Sequence, residues 1–256
     1  MPVDKRDLSL GVRQYHLAVG PGDVSEYVLL PGDPGRVLKI AEFLEGARKV
    51  AENREFLTYR GRYKGVDVTA TSTGIGCPSA AIAIEELANV GARVFVRVGT
   101  SGAVDPEVSV GDLVIPIGAI RNEGTSYYYV PEGFPAVPDF GLVRALVEAA
   151  EERGYRYHVG VISTDDAFYA ETPEYLEGLR ELGIKSLDME SSTLFVVAHL
   201  RGLRAATVLG VVANLTTGDG VFAVEDPRRV EAVRRAIEVA LEALVRVKES
   251  GGAGGI

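Results

Sequence analysis

Six stretches of the chain, Tyr27–Pro31, Val66–Ser72, Val94–Gly99, Asp112–Ile120, Tyr157–Ser163 and Ala205–Ala213, read as strands, and several of them are apolar and β-branched almost without polar alternation. A strand that keeps one face in water alternates, whereas a strand without alternation has both faces covered. Arg48–Ala51 and Leu57–Gly61 read as further, more polar strands. Helical patterns fill the intervals, and their ends are legible. Pro34 opens a helix over Gly35–Leu44, and Pro78 and Ser79 open one through Ala80–Asn89 that reaches Gly91. Asp139 caps Phe140–Arg153 and Gly154 stops it; Thr172 and Pro173 open a helix ending near Gly183. Asp226 and Pro227 start the last helix, where Val230, Val233, Ile237, Leu241, Leu244 and Val245 form one apolar stripe. With no internal repeat and no linker, this alternation predicts a single α/β sandwich over residues 1–256, ending in a flexible Gly-rich tail, Gly251–Ile256.

Composition narrows the function. No stretch approaches the roughly 18 apolar residues that span a bilayer, and the amino-terminal MPVDKRDLSLG has no apolar signal core. One cysteine, Cys77, leaves no internal disulfide and suits a reducing compartment, so a cytoplasmic protein is expected. Lys and Arg total 27 against 36 Asp and Glu, a net charge of −9. That balance argues against nucleic acid and membrane as partners. An anionic ligand must then be caught by a few placed cations.

Four segments could gather them. Gly32-Asp33-Pro34-Gly35-Arg36 follows a strand and opens a helix, so backbone N–H groups and a guanidinium could form an oxyanion pocket; an ordinary turn reads equally well. Ser72-Thr73-Gly74-Ile75-Gly76-Cys77-Pro78-Ser79 comes close to the dinucleotide fingerprint, but Ser79 replaces its third Gly and Pro78 stiffens the turn, which argues against that cofactor. Arg97 lies inside the apolar run Val94–Gly99, where a cation is costly unless it meets an anion. Either an internal carboxylate or a ligand held with Thr100 would satisfy it. In Ser186-Leu187-Asp188-Met189-Glu190-Ser191-Ser192, Glu190 could cap the following helix or grip sugar hydroxyls while Met189 packs on the ring. His16, His158 and His199 have no metal-ligand spacing, so no metal site is expected.

Taken together, these segments resemble the hexameric branch of the nucleoside phosphorylase family. The resemblance is carried by Ser72-x-Gly74-Ile75-Gly76-x-Pro78-Ser79-x-x-Ile82-x-x-x-Glu86-Leu87, and by Gly32-Asp33-Pro34, Asn53-Arg54-Glu55-Phe56, Arg97-Val98-Gly99-Thr100, Phe134–Phe140 and Asp188-Met189-Glu190-Ser191. It runs from about Tyr15 to the last helix. It implies a three-layer sandwich whose mixed central sheet is flanked by helices, and a pentosyltransferase that uses inorganic phosphate as co-substrate without a cofactor. By the same resemblance Gly32, Arg36, Arg97 and Thr100 bind phosphate, with Arg54 reaching in from a neighbouring copy. Met189 and Glu190 hold the ribose, His16 reaches its 5′-hydroxyl, and Phe168, Thr172, Asp188 and Asn214 surround the base. Arg97 and Glu190 are the catalytic pair. Sites shared between copies imply a homo-oligomer, a hexamer built as a trimer of dimers.

The base is less sharply implied. Purine-specific relatives carry an Asp where this chain has Ala213, which favours uridine, as does the Phe134–Phe140 stretch. Yet Thr172 and Glu174 stand where uridine phosphorylases read uracil with Gln and Arg, Leu215 replaces another of their arginines, and Asp166–Glu171 resembles the methylthioadenosine enzymes. Purine nucleoside or methylthioadenosine phosphorolysis therefore stands as the alternative. A hydrolytic nucleosidase and a non-catalytic nucleoside-binding protein are the competing classes.

Overall fold

The computed structural model describes residues 10–251. The expected tail beyond Gly251 lies outside them. Nine strands form one sheet: β1 (Tyr27–Leu30), β2 (Glu45–Asn53), β3 (Phe56–Tyr63), β4 (Val66–Thr71), β5 (Val94–Ala103), β6 (Leu113–Asn122), β7 (Tyr157–Asp165), β8 (Ser186–Asp188) and β9 (Arg204–Asn214). Their order is β2-β3-β4-β1-β5-β8-β7-β6-β9. The β2–β3 and β3–β4 pairs are antiparallel, whereas β1 is parallel to β4 and β5, so the sheet is mixed. β9 pairs with β6 and also along β5, so β5, β8, β7, β6 and β9 close on themselves.

The described helices are α1 (Pro34–Ala41), α2 (Cys77–Asn89), α3 (Phe140–Glu152), α4 (Pro173–Glu181), α5 (Ser191–Leu200) and α6 (Pro227–Glu249). Asp33, Asp139, Thr172 and Asp226 cap their helices through side-chain oxygens, with proline in the first turn of all but α3. The period of two along each strand divides the core. Leu29, Val94, Val96 and Val98 face one layer, packed by α1, α3 and α6. Val28, Leu30 and Phe95 face the other, packed by α2 and α5. Arg97 shares the parity of Phe95 and is therefore directed towards the starts of α2 and α5. That single step of register decides where the cation goes.

β5 is also where the sheet forks. Its ladder with β1 ends at Leu30 opposite Arg97, and its ladder with β8 begins at Gly102 opposite Leu187. Along Val98–Ser101 this edge of β5 has no strand partner among the described residues, while the other edge stays paired to β9. A crevice at the carboxyl end of parallel strands, where neighbours diverge, is the usual ligand position of α/β sheets.

Several expectations shift. β5 runs beyond Gly99 to Ala103, because pairing with β9 continues through the glycines. The three-residue β8 had no sequence signal of its own: Ser186–Asp188 is extended only because it fits between β7 and β5. Val230, assigned to the apolar stripe of the last helix, is 61% exposed, while Val233, Ile237, Leu241, Leu244 and Val245 are buried. It lies in the first turn of α6, before the helix meets β9.

Gly210 sets how closely α6 approaches β9. A Cβ there would stand 2.7 Å from the carbonyl oxygen of Ala232, a backbone atom that can yield only if the helix moves. Gly210→Ala is expected to cost about 1–3 kcal/mol, read as a lower urea midpoint; an unchanged midpoint would contradict the packing described.

Candidate active site

Arg97 is 5% exposed. Its Nε donates to Asp188 Oδ2 at 3.0 Å, and its Nη2 pairs with Glu190 Oε2. Burial works against the charge, but Glu190 and then Asp188 outweigh it and hold the guanidinium above its ordinary pKa. Nη1 is buried too, with no hydrogen-bond partner among the described residues. A buried, unpaired charged donor costs more than the 1–3 kcal/mol typical of neutral groups. Nη1 faces Gly32, standing 3.9 Å from where a Cβ on that residue would sit.

The two carboxylates have different duties. Asp188 accepts from Thr164 Oγ1 at 2.7 Å and from Ser191 Oγ at 2.6 Å as well as from Arg97. Both its oxygens are taken, so it fixes the arginine and does not reach a base as expected. Glu190 sits at the start of α5 and accepts from the backbone N–H of Gly76, at the start of α2, at 2.8 Å. Burial raises its pKa against the pull of Arg97. Gly76 has φ +89°, a conformation glycine adopts without strain. Gly99 leaves the space for Arg97 to fold back along its own strand, since a Cβ there would lie 2.9 Å from the guanidinium carbon.

Arg36, on α1, comes to the same place. Its Nη1 donates to the carbonyl of Val98 at 3.0 Å, in the unpaired stretch of β5. Burial and then the charge of Arg97 pull its pKa down to about 10. Two guanidinium groups thus share one neighbourhood, which favours an anion between them. The backbone N–H groups expected at the start of α1 are spent internally: Gly35 donates to Asp33 Oδ1 at 2.8 Å and Arg36 to Asp33 O at 3.0 Å. The side chain of Arg36, not the helix start, is what remains for a ligand. Thr100 lies half-buried on the same open stretch of β5.

The remaining expected residues ring this cluster. Met189 is half-buried between Asp188 and Glu190, and its carbonyl accepts from the Cys77 thiol at 3.3 Å. His16 is partly exposed, with Nδ1 against Glu86 Oε1 at 2.6 Å, leaving Nε2 to face outward chemistry. Arg54 forms the tip of the β2–β3 hairpin at φ +55°, exposed and without a hydrogen bond or ion pair among the described residues. Phe168 is half-exposed and edge-on to Tyr169 at 5.1 Å. Thr172, expected at the base, caps α4 by accepting from the N–H of Tyr175. Asn214, also expected there, is 2% exposed. Its Nδ2 donates to the carbonyls of Asp105 and Val108, and its Oδ1 accepts from Thr216 and Thr217, so it ties two loops together.

Sequence reasoning missed Thr164, Ser191 and Glu86 as supports of this site. Ser191 and Glu86 lie within the motifs already singled out, so their position was the available signal. Thr164 became legible only when β7 paired with β8, which sets it opposite Asp188. Removing Arg97 would strand two buried carboxylates. Arg97→Ala is therefore expected to lose about 3–5 kcal/mol of folding stability, measured by urea denaturation, and a wild-type midpoint would show the carboxylates to be better solvated than this geometry allows.

Comparison with known proteins agrees with this architecture. The family model of the phosphorylase superfamily matches residues 26–247. A uridine phosphorylase of Thermococcus kodakarensis is 47% identical over 219 residues, covering 80% of this chain and 79% of its own. A guanosine phosphorylase of Halorubrum lacusprofundi is 44% identical, covering 91% of this chain and 98% of its own. The crystal structure of uridine phosphorylase from Vibrio fischeri superposes with a TM-score of 0.87 at 36% identity, over 91% of this chain and 98% of that one. With its arginines, glycines and paired carboxylates assembled at the fork in the sheet, the chain belongs to the phosphorylase superfamily.

Proposed function

We propose that the protein cleaves uridine with inorganic phosphate, giving uracil and ribose 1-phosphate. The observation that carries this reading is the unpaired, buried Nη1 of Arg97 facing Gly32, with the guanidinium of Arg36 beside it. A phosphate dianion supplies the acceptors and the charge that both groups need. Thr100 adds a hydroxyl, and Arg54 reaches the same anion from a second copy of the chain.

Breaking the N-glycosidic bond leaves positive charge on the ribose. Phosphate held beneath the sugar stabilises that charge and then attacks the anomeric carbon, so the co-substrate is itself the nucleophile. The arginines fix its position while partly neutralising it, which lowers the barrier by placement and electrostatics. Glu190, anchored by Gly76 and Arg97, accepts from the ribose hydroxyls, Met189 packs on the ring and His16 meets the 5′-hydroxyl across the contact between copies. A dimer is then the smallest working unit, within a hexamer.

Uridine is supported by the uridine phosphorylases among the relatives and by Ala213, which cannot donate a proton to a purine. Phosphorolysis of guanosine is the second reading, supported by the Halorubrum lacusprofundi relative and by Thr172 and Glu174 at the uracil-reading positions. Assays of uridine, guanosine, inosine, adenosine and methylthioadenosine, each with and without phosphate, separate these readings. Uridine turnover that requires phosphate is the expected result; turnover without phosphate would identify a nucleosidase instead. Arg36→Ala, which removes a cation without stranding a buried carboxylate, should lower kcat/KM for phosphate by about 10²–10³-fold, the usual cost of one oxyanion-stabilising group. Unchanged phosphate kinetics in that variant would remove Arg36 from the site.

A further inference from the structure

Two carboxylates meet Arg97, yet neither grips it at two points. A guanidinium offers paired contact along two edges, one through Nε and Nη2 and one through Nη1 and Nη2, and a carboxylate with both oxygens free takes such an edge as a fork. Here Asp188 meets Nε through Oδ2 at 3.0 Å, and Glu190 meets Nη2 through Oε2. In each case a different donor draws off the other oxygen. The N–H of Gly76 holds Oε1 of Glu190 at 2.8 Å, and the hydroxyl of Thr164 holds Oδ1 of Asp188 at 2.7 Å.

Thr164 is fixed in this duty from several sides. Its backbone lies in β7, in register with Asp188 of β8 on one side and with Arg121 of β6 on the other. It is wholly buried. Its Oγ1 accepts from the N–H of Ser192, in the first turn of α5, at 3.1 Å. A hydroxyl has one proton to give. With Ser192 occupying a lone pair, that proton is aimed at Asp188 Oδ1. Ser191 acts on the same carboxylate differently. Its hydroxyl at 2.6 Å and its N–H at 3.1 Å both lie on Oδ2, the oxygen that already faces Nε, and the N–H reaches Oδ1 at 3.4 Å. Thr164 is therefore the group that keeps the two oxygens of Asp188 on separate tasks.

We propose that Thr164 is a positioning residue for phosphate, acting through Asp188 on Arg97. The inference rests on the phosphorolysis reading above. With the hydroxyl in place, Asp188 holds the guanidinium at one point, Glu190 holds it at another, and Nη1 is left facing Gly32. Without the hydroxyl, Oδ1 is a buried acceptor short of a donor, and Nη2 lies next to Nε along the same edge. Asp188 then closes on that edge with both oxygens, draws the guanidinium towards β8 and turns Nη1 away from the phosphate position. Thr164 touches no substrate. It fixes the aim of the cation that does.

The test measures kcat and the KM values for phosphate and nucleoside in wild type, Thr164→Val, Thr164→Ala and Thr164→Ser, together with each urea midpoint. KM does not depend on how much of a preparation is folded, whereas the apparent kcat does. A purely structural hydroxyl would therefore move kcat and the midpoint and leave KM alone. Valine and alanine are expected to raise KM for phosphate about 10–100-fold, the worth of one hydrogen bond to a charged group. The nucleoside KM should move less. Serine keeps the hydroxyl and should stay within about threefold of wild type on both. Alanine brings no methyl against the Ser192 N–H, so it carries the test if valine does not fold. An unchanged phosphate KM in the folded valine or alanine variant, or an equal rise in serine, overturns the inference while leaving phosphorolysis standing. Failure of both valine and alanine to fold assigns the hydroxyl to stability and overturns it as well. Wild-type enzyme that cleaves no nucleoside with phosphate overturns the phosphorolysis reading and this inference with it.

Discussion

A guanidinium buried beside two carboxylates, at the point where a sheet forks, organises this molecule. Arg97 is costly to bury, and Asp188 and Glu190 offset that cost only by arriving from a different part of the chain. Their arrival fixes the elements that carry them. β8 must insert between β7 and β5 to bring Asp188 to Nε, and α5 must start at Glu190 for its carboxylate to reach both Nη2 and the first turn of α2. The ion cluster therefore pins both helices of one layer to the central strand. It also leaves one donor, Nη1, that no atom of the described residues satisfies. The fold is held together by the group that prepares it for an anion.

The carboxylates near the site divide by how completely they are hydrogen-bonded. Asp188 has both oxygens occupied and acts only through Arg97. Glu190 is tied at one end to Gly76 and at the other to Arg97, so it is a fixed edge rather than a mobile charge. Glu171 has no hydrogen bond or ion pair among the described residues, and burial, then the charge of Asp165, push its pKa up to about 7.

Most of the fold was legible because burial on both faces leaves an unmistakable trace. Val94-Phe95-Val96 and Ala205–Val211 are read as strands from composition alone, and the helix starts at Asp33, Asp139, Thr172 and Asp226 follow from their caps. β8 was not legible, because three residues carry no period and their extended shape is imposed by neighbours. Of the site, Arg97 announced itself as a cation in an apolar run, and Gly32, Arg36 and Glu190 do converge on it. What local sequence could not reveal was competition for the same atoms. Asn214 is a plausible base reader until its amide is seen to be spent on Asp105 and Val108. Asp188 likewise is saturated by Thr164, Ser191 and Arg97, none of which adjoins all the others in sequence.

Net charge gives the last constraint. A chain with 36 acidic and 27 basic residues repels a phosphate dianion at long range, so capture depends on contacts inside the Debye length of about 8 Å. One copy brings Arg36 and Arg97 to that range, but Arg97 is largely neutralised by its own carboxylates. Arg97, Asp188 and Glu190 together carry a net charge of −1, so with Arg36 the cluster in one copy is close to neutral, too little for a dianion. Arg54 supplies what is lacking under the proposed reading. It projects from a hairpin tip, in a backbone conformation unusual for its residue type, and makes no ion pair among the described residues, although its charge is felt by Glu55. Under the proposed reading a cation from a second copy makes up the difference: the arginine buried at the fork is neutralised by its own carboxylates, whereas the one at the hairpin tip is not.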